Sequence, residues 1–142
     1  MITAVHTLVY SDDPTATRAF LKDVLRWPFV SEGQRGDDGR GEDTGGTDPA
    51  EWLIFGTGPS EMGVHPTSWE EDGKPGGAPT HHEIALVCDD VEATVAELAS
   101  RGATFDGEPR DMGFGIGVHL HVPGADDMLL YQARHVTAYD KA

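Results

Sequence analysis

A nine-residue segment occurs twice in the chain, and this internal repeat constrains the fold more than any other feature. Residues 13–21 (DPTATRAFL) and residues 90–98 (DVEATVAEL) match at five of nine positions. A strand-like run precedes each copy, at residues 2–10 and 83–88, and residues 61–65 (EMGVH) resemble residues 127–131 (DMLLY). Similarity at several points in the same order, with a longer first copy, indicates two copies of one supersecondary unit.

Each copy is predicted to run strand, helix and then several strands. Asp13 and Asp90 are predicted N-caps, and Pro14 occupies the first helical position, where its missing N–H costs nothing. Gly102 is predicted to end the second helix in a left-handed conformation. Short β-rich runs follow the helices at residues 29–30, 52–55, 62–65, 104–105, 118–122 and 128–131.

These signals divide the chain into two modules within one structural domain. We predict a first module at residues 1–66, a linker at 67–80, a second module at 81–132 and a tail at 133–142. Residues 31–49 contain six glycines and no apolar side chain, so they are predicted to form a mobile insert of the first module. His135 falls in the tail and is expected to be exposed.

Composition narrows the classes of partner. Hydrophobic residues make up 38% of the chain, enough for a core, and the formal net charge is −15. A surface this acidic repels phosphate groups, so neither nucleic acid nor a membrane is an expected partner. A single cysteine and an amino-terminal sequence without the features of a secretory signal lead us to expect a cytoplasmic protein.

The repeat and its motifs resemble the vicinal oxygen chelate superfamily, which includes glyoxalase I, bleomycin-resistance proteins and extradiol dioxygenases. His6 lies seven residues before Asp13, and residues 82–90 (HEIALVCDD) and 128–132 (MLLYQ) are similar to the segments that open and close the family's second module. The resemblance implies an α+β fold in which two tandem βαβββ modules form a curled mixed sheet around a cavity. It also implies a homodimer.

The resemblance further implies where a divalent metal would bind. In metal-binding members, the first and last strands of each module supply the ligands. Those positions fall on His6 and Glu83 for the first strands, and on Gly63 and Leu129 for the last strands. Neither glycine nor leucine ligates a cation, so half of the family's metal shell is missing.

Strand alternation predicts that several polar side chains share one concavity. They are His6, His65, His119, His121 and Glu83. One interpretation is a displaced site for Zn, Ni, Mn or Fe(II), formed by His6 and Glu83 with His65 or His121. The other is that these side chains line a polar ligand pocket and bind no metal. The sequence leaves both open.

Four aromatic residues lie on or beside the predicted cavity strands: Tyr10, Trp52, Phe114 and Tyr131. Such rings stack on flat organic molecules, although each of them is equally suited to an ordinary core position. Together with His65, His119 and His121, they form the predicted ligand-binding set.

Two main functions follow from these patterns. The leading prediction is a bleomycin-resistance-like protein that binds a small organic ligand without the full family metal site. The alternative is a metal-dependent lyase, isomerase or dioxygenase with Glu83 as a catalytic carboxylate. A third hypothesis is a member that has lost catalysis and keeps a scaffold role.

Overall fold

In the first half of the chain, the described residues form one helical segment and two small antiparallel sheets. The computed structural model describes residues 6–31, 43–61, 63–64 and 66–138. Helix α1 (Pro14–Ala19) continues into a π-helical segment at Phe20–Val24. Strand β1 (Phe29–Ser31) pairs with β2 (Leu53–Phe55), and β3 (Ser68–Glu71) pairs with β4 (Lys74–Gly77).

The second half forms a complete βαβββ unit, as the repeat predicted. It consists of β5 (Ala85–Cys88), helix α2 (Val91–Ser100), β6 (Arg110–Asp111), β7 (Gly115–Leu120) and β8 (Met128–Ala133). The strands form one sheet in the order β5-β8-β7-β6. The first and last strands of the unit, β5 and β8, are parallel neighbours, and the other pairs are antiparallel. The architecture is α+β.

Both helices begin at the aspartates that the sequence indicated. The Asp13 Oδ1 atom accepts a hydrogen bond from the Ala16 N–H at 3.0 Å, and Asp90 Oδ1 accepts one from Ala93 at 2.9 Å. Each carboxylate therefore satisfies a backbone donor that has no partner within the helix. Gly102 follows α2 with φ of +95°, as predicted for its C-terminal end.

The core lies between the helices and one face of the four-stranded sheet. Its most buried side chains include Val91 and Leu98 of α2, and Phe20 of the first helical segment. They pack in one cluster with Leu120 of β7 and Leu130 of β8. Removal of these apolar surfaces from water is the main stabilising contribution at this face.

Several segments differ from the sequence predictions or lie outside the described residues. Residues 6–10 form no strand, and all five are exposed. The predicted linker at 67–80 carries the β3–β4 hairpin, whose turn places Asp72 and Gly73 at positive φ. Residues 1–5 of the predicted first strand, 32–42 of the insert, and Met62 and His65 of a further predicted strand lie outside the described residues. Within the described part of the chain, no helix has the length and apolar character needed to cross a membrane.

Candidate functional site

The four-stranded sheet has one face packed on the helices and one face turned away from them. Its register places Leu86, Leu130 and Val118 side by side on the helix-facing side. The alternate positions form the opposite side, which we call the open face. Its residues are Ala85 and Val87 of β5, Leu129 and Tyr131 of β8, and Gly115, Gly117 and His119 of β7. This is the face on which the sequence placed the cavity.

Two glycines of β7 accommodate the Tyr131 side chain on the open face. A Cβ atom at Gly115 would lie 2.9 Å from Cδ2 of Tyr131, and one at Gly117 would lie 2.9 Å from Tyr131 Cβ. The Tyr131 side chain therefore packs directly against the backbone at both positions, and both glycines are buried. Glycine at these positions is required by close approach, since neither has the positive φ that would otherwise explain it.

An aromatic cluster forms at the end of the open face where β8 leaves the sheet. The rings of Phe114 and Tyr131 meet edge to face, with centroids 5.5 Å apart and an interplanar angle of 81°. On the other side, the Tyr131 hydroxyl lies 3.0 Å from Nε2 of His135. Tyr131 is buried, whereas Phe114 remains 47% exposed. The cluster therefore offers an aromatic surface and polar atoms side by side.

The chain after β8 folds back onto this cluster. The Phe114 carbonyl accepts a hydrogen bond from the Arg134 N–H at 2.8 Å, and the Arg134 guanidinium donates to Asp111 Oδ2 at 2.5 Å. Glu61 lies beside the same segment: its Oε2 accepts from the Ala138 N–H at 2.5 Å, and its Oε1 is 3.8 Å from His135 Nε2. The tail segment is thus tied both to the β6–β7 hairpin and to the first half of the chain.

The charges around this end of the sheet favour particular protonation states. Backbone hydrogen bonding from Gly113 lowers the pKa of Asp111, and the guanidinium of Arg134 lowers it further.

On the helix-facing side of the sheet, burial raises the pKa of the Cys88 thiol, against the lowering effect of its hydrogen bond with Thr94. The neutral form of Cys88 is therefore favoured.

The predicted histidine and glutamate set is dispersed over different contacts. His119 is half-buried on the open face, while His121 is exposed and pairs through Nδ1 with Asp127 Oδ2 at 2.9 Å. The Glu83 carboxylate pairs with His81 Nε2 at 2.8 Å, and this contact raises the pKa of His81. His6 is exposed in the segment without strand structure, and His65 lies outside the described residues.

The described side chains are not arranged as a binding site for a divalent metal. Among the described residues, no three His, Cys, Asp or Glu side chains lie close enough together to hold a metal ion. At the positions that the resemblance assigns to last-strand ligands, the side chains of Gly63 and Leu129 offer no donor atom. His121 and Glu83 would each have to leave a charged or imidazole partner before binding a cation. We therefore derive no chemical step through a metal.

The four predicted aromatic residues separate into two groups. Phe114 and Tyr131 belong to the cluster on the open face. Trp52 instead lies just before β2, where the Arg18 guanidinium sits 5.3 Å from its ring centroid. Tyr10 is 90% exposed in the segment before the first helix. The structure thus brings Phe114 and Tyr131 into contact, places His119 on the same face opposite Leu129, and leaves Trp52 and Tyr10 elsewhere.

Sequence reasoning missed His135 and Glu61. His135 is exposed, as expected, but its ring also contacts Tyr131 and lies 3.8 Å from Glu61 Oε1. One signal was present: Glu61 aligns with Asp127 in the internal repeat, and each of these acidic residues faces a histidine. Asp127 faces His121, whereas Glu61 faces His135, which lies in the tail outside the repeat.

Comparisons with known proteins agree on the fold. A family model described as the Glyoxalase/Bleomycin resistance protein/Dioxygenase superfamily matches residues 3–127. A solved member of that superfamily from Sphaerobacter thermophilus DSM 20745 is 25% identical, with 92% of this chain and 98% of that chain covered and a TM-score of 0.51. TnmS3, an antibiotic binding protein from Streptomyces sp. CB03234, is 21% identical over 93% of this chain and 97% of its own, with a TM-score of 0.55. No curated protein matches the chain.

Proposed function

This chain belongs to the Glyoxalase/Bleomycin resistance protein/Dioxygenase superfamily, and we propose that it binds a small, flat organic molecule on the open face of its four-stranded sheet. The observation that carries the proposal is the ring of Phe114, which is 47% exposed and stands edge to face against the buried ring of Tyr131. Its exposed side provides a stacking surface for a planar ligand.

Polar groups beside the rings supply orientation. His119 lies on the same face of β7, one alternate position beyond Gly117, and the Tyr131 hydroxyl is at the opposite end of the aromatic cluster. Ligand sites commonly combine a mostly apolar lining with a few placed hydrogen-bonding groups. Val87, which is 40% exposed, extends the apolar lining toward the free edge of β5.

The charge of the protein restricts the ligand class. With a formal net charge of −15, the chain repels anions at long range. A neutral or cationic aromatic compound is therefore favoured over an aromatic acid. TnmS3, an antibiotic binding protein, shares the fold. Organic antibiotics are therefore one class of compound to test for binding.

Calorimetric titration with 2-naphthol tests this function. We expect saturable binding with one site per chain, and weaker binding of naphthalene-2-sulfonate, which has the same rings and an anionic group. Phe114→Ala should weaken 2-naphthol binding by about two- to tenfold, in line with the loss of an aromatic contact. Trp52→Ala serves as the matched control, because its ring contacts Arg18. Equal binding by the two variants, or no binding by the wild type, would contradict the proposal.

The metal-dependent alternative requires a different arrangement of the same face. His6 and Glu83 with His65 or His121 would hold the cation, after His121 left Asp127 and Glu83 left His81. Elemental analysis of untagged protein distinguishes the two functions. Stoichiometric metal that is lost in His6→Ala supports the enzyme, and a metal-free protein that binds 2-naphthol supports the ligand-binding function.

A homodimer is part of the proposal. Leu8 and Tyr10 are 52% and 90% exposed, and β5 lies at an edge of the sheet formed by the described strands. A second copy would cover these surfaces. Light scattering should give twice the 15.2 kDa chain mass, and a monomeric mass at micromolar concentration would contradict this part of the proposal.

A further inference from the structure

Phe114, the exposed ring of the aromatic cluster, is carried by a chain segment with little stiffness of its own. It lies in the turn between β6 and β7, with Gly113 before it and Gly115 after it. Gly113 has φ of +83°, and a Cβ there would meet nothing within 4 Å. Because glycine permits more backbone conformations than any other residue, the position of the Phe114 ring depends on contacts made by other residues.

Asp111 and Arg134 together brace this turn. Asp111 Oδ1 accepts a hydrogen bond from the Gly113 N–H at 2.8 Å, and Asp111 Oδ2 accepts one from the Arg134 guanidinium at 2.5 Å. The Arg134 backbone N–H in turn donates to the Phe114 carbonyl oxygen at 2.8 Å. These contacts form a closed ring that joins the turn to the residue directly after β8.

The ion pair is present at neutral pH and is modest in strength. The Gly113 N–H and then the Arg134 guanidinium lower the pKa of Asp111, so its carboxylate is ionised. Both side chains of the pair are exposed, and between these two described groups a single hydrogen bond is formed. An exposed pair of this kind contributes little to the stability of a whole domain. It is sufficient, however, to restrain a turn that contains glycine.

We propose that the Asp111–Arg134 ion pair positions Phe114 for ligand binding on the open face. This inference rests on the proposed function, because the Phe114 ring is the stacking surface. The pair holds the ring in place before the ligand arrives, so less conformational entropy is lost when the ligand binds. Asp111 and Arg134 are thus positioning residues, which act through Phe114 and need no contact with the ligand.

Calorimetric titration with 2-naphthol at pH 7 measures the effect of the pair. We expect Arg134→Gln to weaken binding by about two- to fivefold, the range for an exposed ion pair. Asp111→Asn keeps an oxygen for the Gly113 N–H and loses the charge, so it should resemble Arg134→Gln. Arg134→Lys keeps a cation that can form the single contact, and its affinity should stay closer to that of the wild type. Glu97→Gln is the matched control, because it removes an exposed carboxylate from another ion pair, with Arg101. It should bind 2-naphthol like the wild type.

A double-mutant cycle separates positioning from a general loss of stability. In the Phe114→Ala background there is no ring to position, so adding Arg134→Gln should leave 2-naphthol binding unchanged. A loss of equal size with and without the ring would show that Arg134 acts by another route, and it would overturn the inference. Wild-type affinity in both Arg134→Gln and Asp111→Asn would overturn it as well.

The aromatic ¹H NMR spectrum of the free protein provides a readout that needs no ligand. The Phe114 ring stands edge to face against Tyr131, so the neighbouring ring shifts its proton signals. We expect Arg134→Gln to move these signals toward those of free phenylalanine, and Glu97→Gln to leave them in place. Unchanged Phe114 signals in Arg134→Gln would show that the ring keeps its position without the ion pair, contrary to the inference.

The binding data also distinguish this inference from the proposed function. If Phe114→Ala weakens 2-naphthol binding while Arg134→Gln and Asp111→Asn do not, the ligand-binding function stands and the positioning role is wrong. If the wild type binds no 2-naphthol, both are wrong.

Discussion

Tyr131 lies so close to Gly117 that a side chain at residue 117 would meet the Tyr131 Cβ atom at 2.9 Å and the Leu130 carbonyl oxygen at 3.0 Å. Both obstacles belong to the paired strand β8, one of them to its backbone, so neither can move without disturbing the sheet. This contact links the stability of the sheet to the shape of the open face.

Gly117→Ala is expected to reduce the free energy of unfolding by about 1–3 kcal/mol, the usual cost of overpacking. It should also weaken the binding of 2-naphthol, because Tyr131 has to shift. Gly63→Ala is the matched control: a Cβ there meets nothing within 4 Å and the backbone does not have a positive φ. Urea unfolding monitored by circular dichroism measures both. Equal stability of the two variants would contradict the packing argument.

The two helix caps should contribute similarly to stability. Asp13→Ala and Asp90→Ala each remove the acceptor for one unpaired N–H, and each should reduce the free energy of unfolding by about 1 kcal/mol. Asp90→Asn retains an acceptor oxygen and should recover most of the loss. Chemical denaturation of the three variants provides the test, and an alanine variant as stable as the asparagine variant would show that the cap is not used.

Asp111 should stabilise the fold in a pH-dependent manner. Its pKa in the folded protein lies below the ordinary value of 3.8, through the Gly113 N–H and then Arg134. The contribution is therefore fully present above pH 3.8 and is lost as the pH falls through the folded pKa. Asp111→Asn should be less stable than wild type at pH 6, with a difference that shrinks at lower pH. A difference that grows on acidification would contradict this sign.

Cys88 should react slowly with thiol reagents in the folded protein. Burial raises its pKa above the ordinary value of 9.0, and the charges of Asp89 and Asp90 act in the same direction. We expect modification by 5,5′-dithiobis(2-nitrobenzoic acid) at pH 7.5 to be slower than that of free cysteine, and to become comparable in urea. Fast reaction in the native state would show that the thiol is accessible and ionised.

The sequence predicted the features that depend on near neighbours in the chain. Asp13 and Asp90 bond to backbone groups three residues away, and Gly102 lies two residues beyond the end of α2, so the local pattern was sufficient to identify them. Strand alternation likewise placed His119 on the face opposite the core, because side-chain direction repeats every two residues. The internal repeat extended these local signals to the βαβββ order of the second half.

The tertiary structure decided which groups face one another across long separations in the chain. His121 was grouped with the other histidines, yet it pairs with Asp127 across the β7–β8 turn. His135, in a tail with no periodic pattern, reaches Tyr131 and also Glu61, which lies 74 positions earlier in the chain. No local preference specifies such a contact, because the energy of a hydrogen bond or ion pair depends on distances that only the packed chain establishes.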